Sequence, residues 1–219
     1  MELFSNIVDF FLHFDRYLGA IIQSYGALTY AIISLVIFCE TGLVVTPFLP
    51  GDSLLFAAGT FSASGALNIK WLFTLLGLAA ILGNIINYHI GRFMGPKVFY
   101  KENSRIFNKR YLKDAQKFYE KYGAKTIIIT RFMPFVRTFA PFVAGIGKMT
   151  YWKFMLYNII GGISWISFFL LGGYYFGNML LVKKNFSLVV LAIIAISLLP
   201  LLLEFFKRRR ENPRANPLP

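Results

Sequence analysis

Five stretches of this chain, each about twenty residues long, carry almost no charge, and a soluble fold has no way to cover them all. Residues 17–39, 71–91, 154–176 and 185–203 hold no Asp, Glu, Lys or Arg, and 126–147 holds two arginines as its only charges. About twenty apolar residues is the length a helix needs to cross a bilayer. Only 15% of the 219 residues are charged, against 57% hydrophobic, too few to clothe a soluble globule of this size. The runs also lack the ten-residue alternation of barrel strands. The expected class is therefore an all-α polytopic membrane protein.

The formal net charge of +13 could suggest nucleic acid, but its distribution argues for a membrane surface. Residues 96–125 hold nine basic side chains (Lys97, Lys101, Arg105, Lys109, Arg110, Lys113, Lys117, Lys121 and Lys125) with three acids, and a second cluster runs from Lys207 to Arg210. Basic loops of this kind lie on the cytoplasmic side and face anionic lipid. Phe107, Tyr111, Phe118 and Tyr122 recur between the charges at helical spacing, as in a helix lying on lipid. Putting both basic clusters inside sets both termini inside. The single Cys39 gives no disulfide within one chain and no metal cluster. Residues 1–16 carry Glu2, Asp9 and Asp15 without a basic start, unlike a signal peptide. The expected layout is an N-terminal interfacial or extended helix over 1–24, a membrane domain over 25–206, and a basic, proline-rich cytoplasmic tail over 207–219.

Two of the apolar segments are broken. Pro47, Pro50 and Gly51 interrupt the first, leaving an apolar piece, 53–61, too short to span; Pro134 and Pro141 interrupt the second. Proline and glycine end helices, and unpaired backbone cannot face lipid. Broken segments at membrane depth must be buried in protein or line a cavity, so re-entrant hairpins are expected over about 46–64, turning out through 62–65, and over 126–147. Pro47, Pro50, Gly51, Pro134, Pro141 and Gly145 are the residues expected to shape them. Spanning helices are expected over 71–95, 154–176 and 186–206.

Short matches recur at a near-constant offset. Phe48-Leu-Pro50 and Phe132-Met-Pro134 lie 84 residues apart, Ala58-Gly59 and Ala144-Gly145 lie 86 apart, and Gly91-x-x-x-Gly95 and Gly173-x-x-x-Gly177 lie 82 apart. This pattern predicts two halves, each a hairpin followed by a spanning helix. The charge-derived topology puts the hairpins on opposite faces, so the repeat would be inverted, an arrangement found in transporters.

Glu40, Asp52, Arg131 and Arg137 fall in or beside the broken segments. Ionisable groups at membrane depth are costly, and they pair or line a pathway. One reading is a pair of salt bridges that only hold the hairpins together. The other is a combined site. Arginine's planar fork matches phosphate oxygens, and a helix beginning near Asp52 and Ser53 offers free N–H groups, with Asp52 suited to its N-cap. Because desolvation favours the neutral form of a carboxylic acid, Glu40 or Asp52 could carry a proton, with Glu40 the stronger candidate. Asn84 and Tyr88 share a helical face and, with Ser53, are candidate cavity-lining residues; interhelical hydrogen bonding explains the two helix residues equally well. No nucleotide-binding glycine loop, His–Cys cluster or nucleophile elbow occurs in the sequence, so neither an enzyme nor a cofactor or metal is expected.

Glu40-Thr-Gly42 followed by Phe48-Leu-Pro-Gly-Asp-Ser-Leu-Leu55, and then Arg131-Phe-Met-Pro-Phe-Val-Arg137 with Pro141 and Gly145, resembles the DedA family, the bacterial branch of the SNARE-associated or VTT-domain membrane proteins. The resemblance extends over about residues 25–205. It implies an inner-membrane protein with two opposed re-entrant hairpins that translocates lipid: undecaprenyl phosphate, or a phospholipid such as phosphatidylethanolamine, with a link to proton-motive force. The family's essential acids match Glu40 and Asp52, and its essential arginines match Arg131 and Arg137. The leading expectation is thus proton-coupled carriage of an anionic lipid. A proton or ion antiporter that affects the envelope indirectly, and a structural or scramblase-like factor without coupled transport, are the alternatives. Expected partners are membrane lipids, the lipid substrate and protons, with no nucleic acid; the Gly-x-x-x-Gly pairs could serve contacts within one chain or a homo-oligomer.

Overall fold

The computed structural model describes residues 14–43, 51–98, 123, 125–133 and 136–180, together with 182, 185, 186, 188, 189, 192 and 193. Pro47, Pro50 and Pro134 lie outside the described residues, as do most of the basic loop, the first thirteen residues, most of 186–206, and the tail.

Every regular element among the described residues is helical. In chain order they are α1 (Phe14–Tyr25), α2 (Leu28–Gly42), α3 (Gly51–Ala63), α4 (Ile69–Val98), α5 (Thr126–Thr130), α6 (Val136–Ile146) and α7 (Tyr151–Ile166). α7 continues through a π-helical turn (Ser167–Leu171) into α8 (Gly172–Phe176). Two of these stretches, Ile69–Met94 and Tyr151–Phe176, are long and apolar enough to cross a membrane.

The long helices carry large apolar residues on their exposed faces and bury amides within an otherwise apolar core. Trp71, Leu78, Leu82, Ile86 and Phe93 form an exposed stripe on α4, while Asn84 and Asn87 on the same helix are buried. On α7, Trp152, Leu156, Ile160 and Ile163 are exposed and Asn158 is fully buried. Such stripes suit lipid, and the inward amides must then find partners within the protein.

Several local expectations are revised. Within the charge-free run 17–39, Gly26, at φ 49°, separates α1 from α2, a backbone conformation open to glycine. Leu18 of α1 is buried in the core beside α3 rather than extending a spanning helix. α4 continues past Gly95 and Pro96 to Val98. Asn68 precedes it, and its side-chain oxygen accepts the Lys70 N–H at 2.9 Å, a capping bond. Pro141 does not end its segment. It sits inside α6, where its missing N–H deprives only the Arg137 carbonyl of a helical partner. The turn after α3 falls at 64–67, with Gly65 at φ 84°.

Glycines set the closest helix crossings. A Cβ on Gly59 of α3 would overlap the Leu170 carbonyl and the Tyr174 nitrogen, and one on Gly173 would overlap the Phe56 carbonyl. A Cβ on Gly145 of α6 would overlap the Tyr88 carbonyl and the Arg92 nitrogen, and one on Gly91 the Phe142 carbonyl. Thus α3 packs on the C-terminal part of the second long helix, and α6 packs on α4. The two sets of contacts correspond residue by residue, at 86 residues' separation on the short helices and 82 on the long ones. Gly91, Gly173 and Gly177 all face neighbours within the chain, Gly177 meeting Thr60. Gly145 thus lies at a helix crossing.

Candidate functional site

α2 is apolar until its last turn, where Glu40 sits fully buried. α3 starts at Gly51, which places Asp52 inside the first turn rather than at the N-cap position; a carboxylate there also suits the helix dipole. α6 starts at Val136, with Arg137 in its first turn. These three helix ends meet. Arg137 Nη2 donates to Glu40 Oε1, and Nη1 donates to Asp52 Oδ1. One guanidinium thus spans two carboxylates from separate elements, a use of the arginine fork that lysine's point charge does not reproduce.

The rest of the shell fixes those acids. The Gly51 N–H reaches Glu40 Oε1 at 3.3 Å, and a Cβ at Gly51 would overlap the Glu40 carboxylate. Gly51 therefore makes room for the acid as well as opening α3. Glu40 Oε2 is buried without a hydrogen-bond partner among the described residues. Trp165, fully buried on α7, donates its indole N–H to Asp52 Oδ1 at 2.8 Å. Its ring also lies against the Arg137 guanidinium, 4.9 Å from the centroid, within cation–π range.

Arg131 is not in this ion cluster. It lies at the C-terminal end of α5, 3% exposed. Its Nη2 donates to Asn158 Oδ1 at 2.5 Å and to the Ala80 carbonyl at 3.3 Å. Asn84 joins this second cluster, donating from Nδ2 to the same Asn158 oxygen at 3.0 Å. Asn87 ties three elements together, donating to the carbonyls of Thr41 at 3.1 Å and Thr138 at 2.7 Å. The Tyr88 hydroxyl donates to the Met149 carbonyl at 2.5 Å and its ring stacks on Phe154 at 4.3 Å. Ser53 is buried in the first turn of α3.

A cavity of about 680 Å³ lies between α3, the residue after Arg131 and the C-terminal part of the second long helix. Phe56, Phe132, Phe168, Phe169, Tyr175 and Phe176 line much of it. Phe132 directly follows Arg131, and Phe169 packs edge-on against Trp165 with centroids 6.4 Å apart. The π-helical turn forms part of the wall, and such turns occur often at functional sites.

Sequence reading singled out the four buried charges among the described residues, but it missed Trp165 and Asn158. A tryptophan in an apolar run signals packing, and a lone asparagine 27 residues beyond Arg131 gives no spacing signal.

Together these features define a helical membrane protein with lipid-suited outer faces and a buried acid–arginine centre. The VTT domain model matches residues 49–175. Protein DedA of Escherichia coli K12 is 48% identical over 217 residues, 98% of this chain and 99% of that one. The uncharacterized membrane protein Rv0364 of Mycobacterium tuberculosis H37Rv is 44% identical over 192 residues, 85% of this chain and 84% of its own. Inner membrane protein YqjA of E. coli K12 is 32% identical over 149 residues, 68% of each. No solved structure matches. The chain belongs to the DedA family of VTT-domain membrane proteins.

Proposed function

We propose that this protein carries an anionic lipid, undecaprenyl phosphate or a related phospholipid, across the bacterial inner membrane coupled to protons. The observation that carries the reading is the single guanidinium of Arg137 held between Glu40 and Asp52. Among the described residues the buried ionisable side chains are Glu40, Asp52, Arg131 and Arg137, two acids and two arginines that balance when all are ionised. Adding one negative headgroup disturbs that balance, and adding one proton to a carboxylate restores it. Coupling of anion and proton follows from electroneutrality in a medium where net charge is expensive. The unpartnered Glu40 Oε2 makes Glu40 the favoured proton carrier.

The aromatic cavity favours a lipid over a small inorganic anion. Its size falls in the range of ligand pockets, and its apolar lining beside Phe132 suits a hydrocarbon chain attached to a head near Arg131. The matched glycine crossings, together with the arrangement of charge along the sequence, support an inverted repeat in which the segments 46–64 and 126–147 are re-entrant hairpins entering from opposite faces, with both termini cytoplasmic.

The test is transbilayer movement of labelled undecaprenyl phosphate, with phosphatidylethanolamine in parallel, by purified protein in liposomes. Movement of one lipid, lost in Arg137→Ala, is the expected result. Movement of neither by folded protein sinks the carrier reading and favours ion exchange.

A further inference from the structure

Arg131 and Arg137 are alike in sequence context but opposite in environment. Arg137 is spent on two carboxylates. Among the described residues the acceptors for Arg131 are neutral: the Asn158 side-chain oxygen and the Ala80 carbonyl. Its Nε is buried with no hydrogen-bond partner, and among the described residues no carboxylate forms an ion pair with it. The surroundings are nevertheless built to receive it. Asn158 is held from both sides, accepting from Asn84 at 3.0 Å and donating to the Ile81 carbonyl at 3.1 Å. Two adjacent glycines flank the arginine side chain: a Cβ on Gly161 would lie 3.2 Å from the Ile128 Cα and 3.3 Å from Arg131 Cδ, and one on Gly162 would lie 3.2 Å from Ile81 Cγ1 and in ordinary contact, 3.5 Å, with Arg131 Nη2.

A buried arginine ordinarily acquires a carboxylate, and Asn158 already occupies the position such a carboxylate would take. Aspartate is nearly isosteric with asparagine and would complete the pair. The neutral amide instead orients the guanidinium without cancelling its charge. We propose that Asn158 is a positioning residue that holds Arg131 as an uncompensated cation, so that Arg131 is the anion-binding end of the buried cluster and Arg137 is the internal counter-ion of the acids. The ligand chemistry is a phosphate group, which an arginine fork suits. This rests on the anion-carrier reading and assigns its headgroup subsite.

The experiment compares wild type with Asn158→Asp in detergent, reading both thermal unfolding and binding by calorimetry. The probes are dioleoyl phosphatidic acid in mixed micelles and inorganic phosphate. Wild type is expected to bind the lipid probe. Asn158→Asp, which supplies an internal anion, is expected to bind it at least about tenfold more weakly while unfolding at the same or a higher temperature. A merely structural Asn158 gives a different pattern: Asn158→Asp binds as wild type does, and that result overturns the inference while leaving the carrier reading intact. Equal binding of inorganic phosphate would show that the subsite reads the phosphate group without the chain, which still supports the assignment. Wild type that binds neither probe removes the carrier reading and the inference together. Should Asn158→Asp fail to fold, Asn84→Asp puts the carboxylate one hydrogen bond further from Arg131. A loss of about threefold is expected there, and unchanged binding overturns the assignment.

Discussion

At the residue scale, the site depends on how many partners one guanidinium can serve. Arg137→Lys keeps the charge but has no fork, so it is expected to retain the fold and lose lipid movement in liposomes; normal movement would show that charge alone suffices. Arg137→Met strands two buried carboxylates. Breaking a buried ion pair from one side costs about 3–5 kcal/mol, which should appear as a lower unfolding temperature in detergent. Adding Glu40→Gln and Asp52→Asn to that variant removes the stranded charges and should recover most of the loss. A triple variant no more stable than Arg137→Met would mean the ion cluster is not what the fold depends on. Trp165→Phe keeps a ring against Arg137 and loses the indole bond to Asp52. Leaving a buried acceptor short of a bond costs about 1–3 kcal/mol, measurable in the same melt.

At the element scale, glycines bring helices close enough that backbone meets backbone. Gly145→Ala and Gly173→Ala each drive a methyl into a neighbouring carbonyl, and overpacking of this kind costs about 1–3 kcal/mol. Gly172→Ala, with nothing within 4 Å of its added Cβ, should melt as wild type does. Equal effects at 172 and 173 would remove the crossing from the account. The elements also show how much the sequence disclosed. Glu40, Asp52, Arg131 and Arg137 were legible because a charge in an apolar run is conspicuous, and the long helices were legible from length and composition. The gathering of Glu40 and Asp52 on Arg137 alone was not, since it depends on which way α5 and α6 turn between residues 131 and 136. Pro141 misled because its helix loses one hydrogen bond there without ending.

At the scale of the whole molecule, the account requires two halves that approach the site from opposite sides. Exposed positions test that directly. In a Cys39→Ser background, Ala66→Cys should react with an impermeant thiol reagent only from outside the cell, and Lys148→Cys only from the cytoplasmic side. Reaction of both from one face would contradict the inverted arrangement. The central claim is that the buried acids and arginines couple proton movement to carriage of a lipid phosphate. The most direct measurement follows internal pH with a trapped dye in proteoliposomes while undecaprenyl phosphate is supplied to one leaflet. The account predicts proton flux that appears only with the lipid, accompanies its movement and is abolished by Glu40→Gln. Lipid movement at full rate with no proton flux, or with Glu40→Gln as active as wild type, would contradict it.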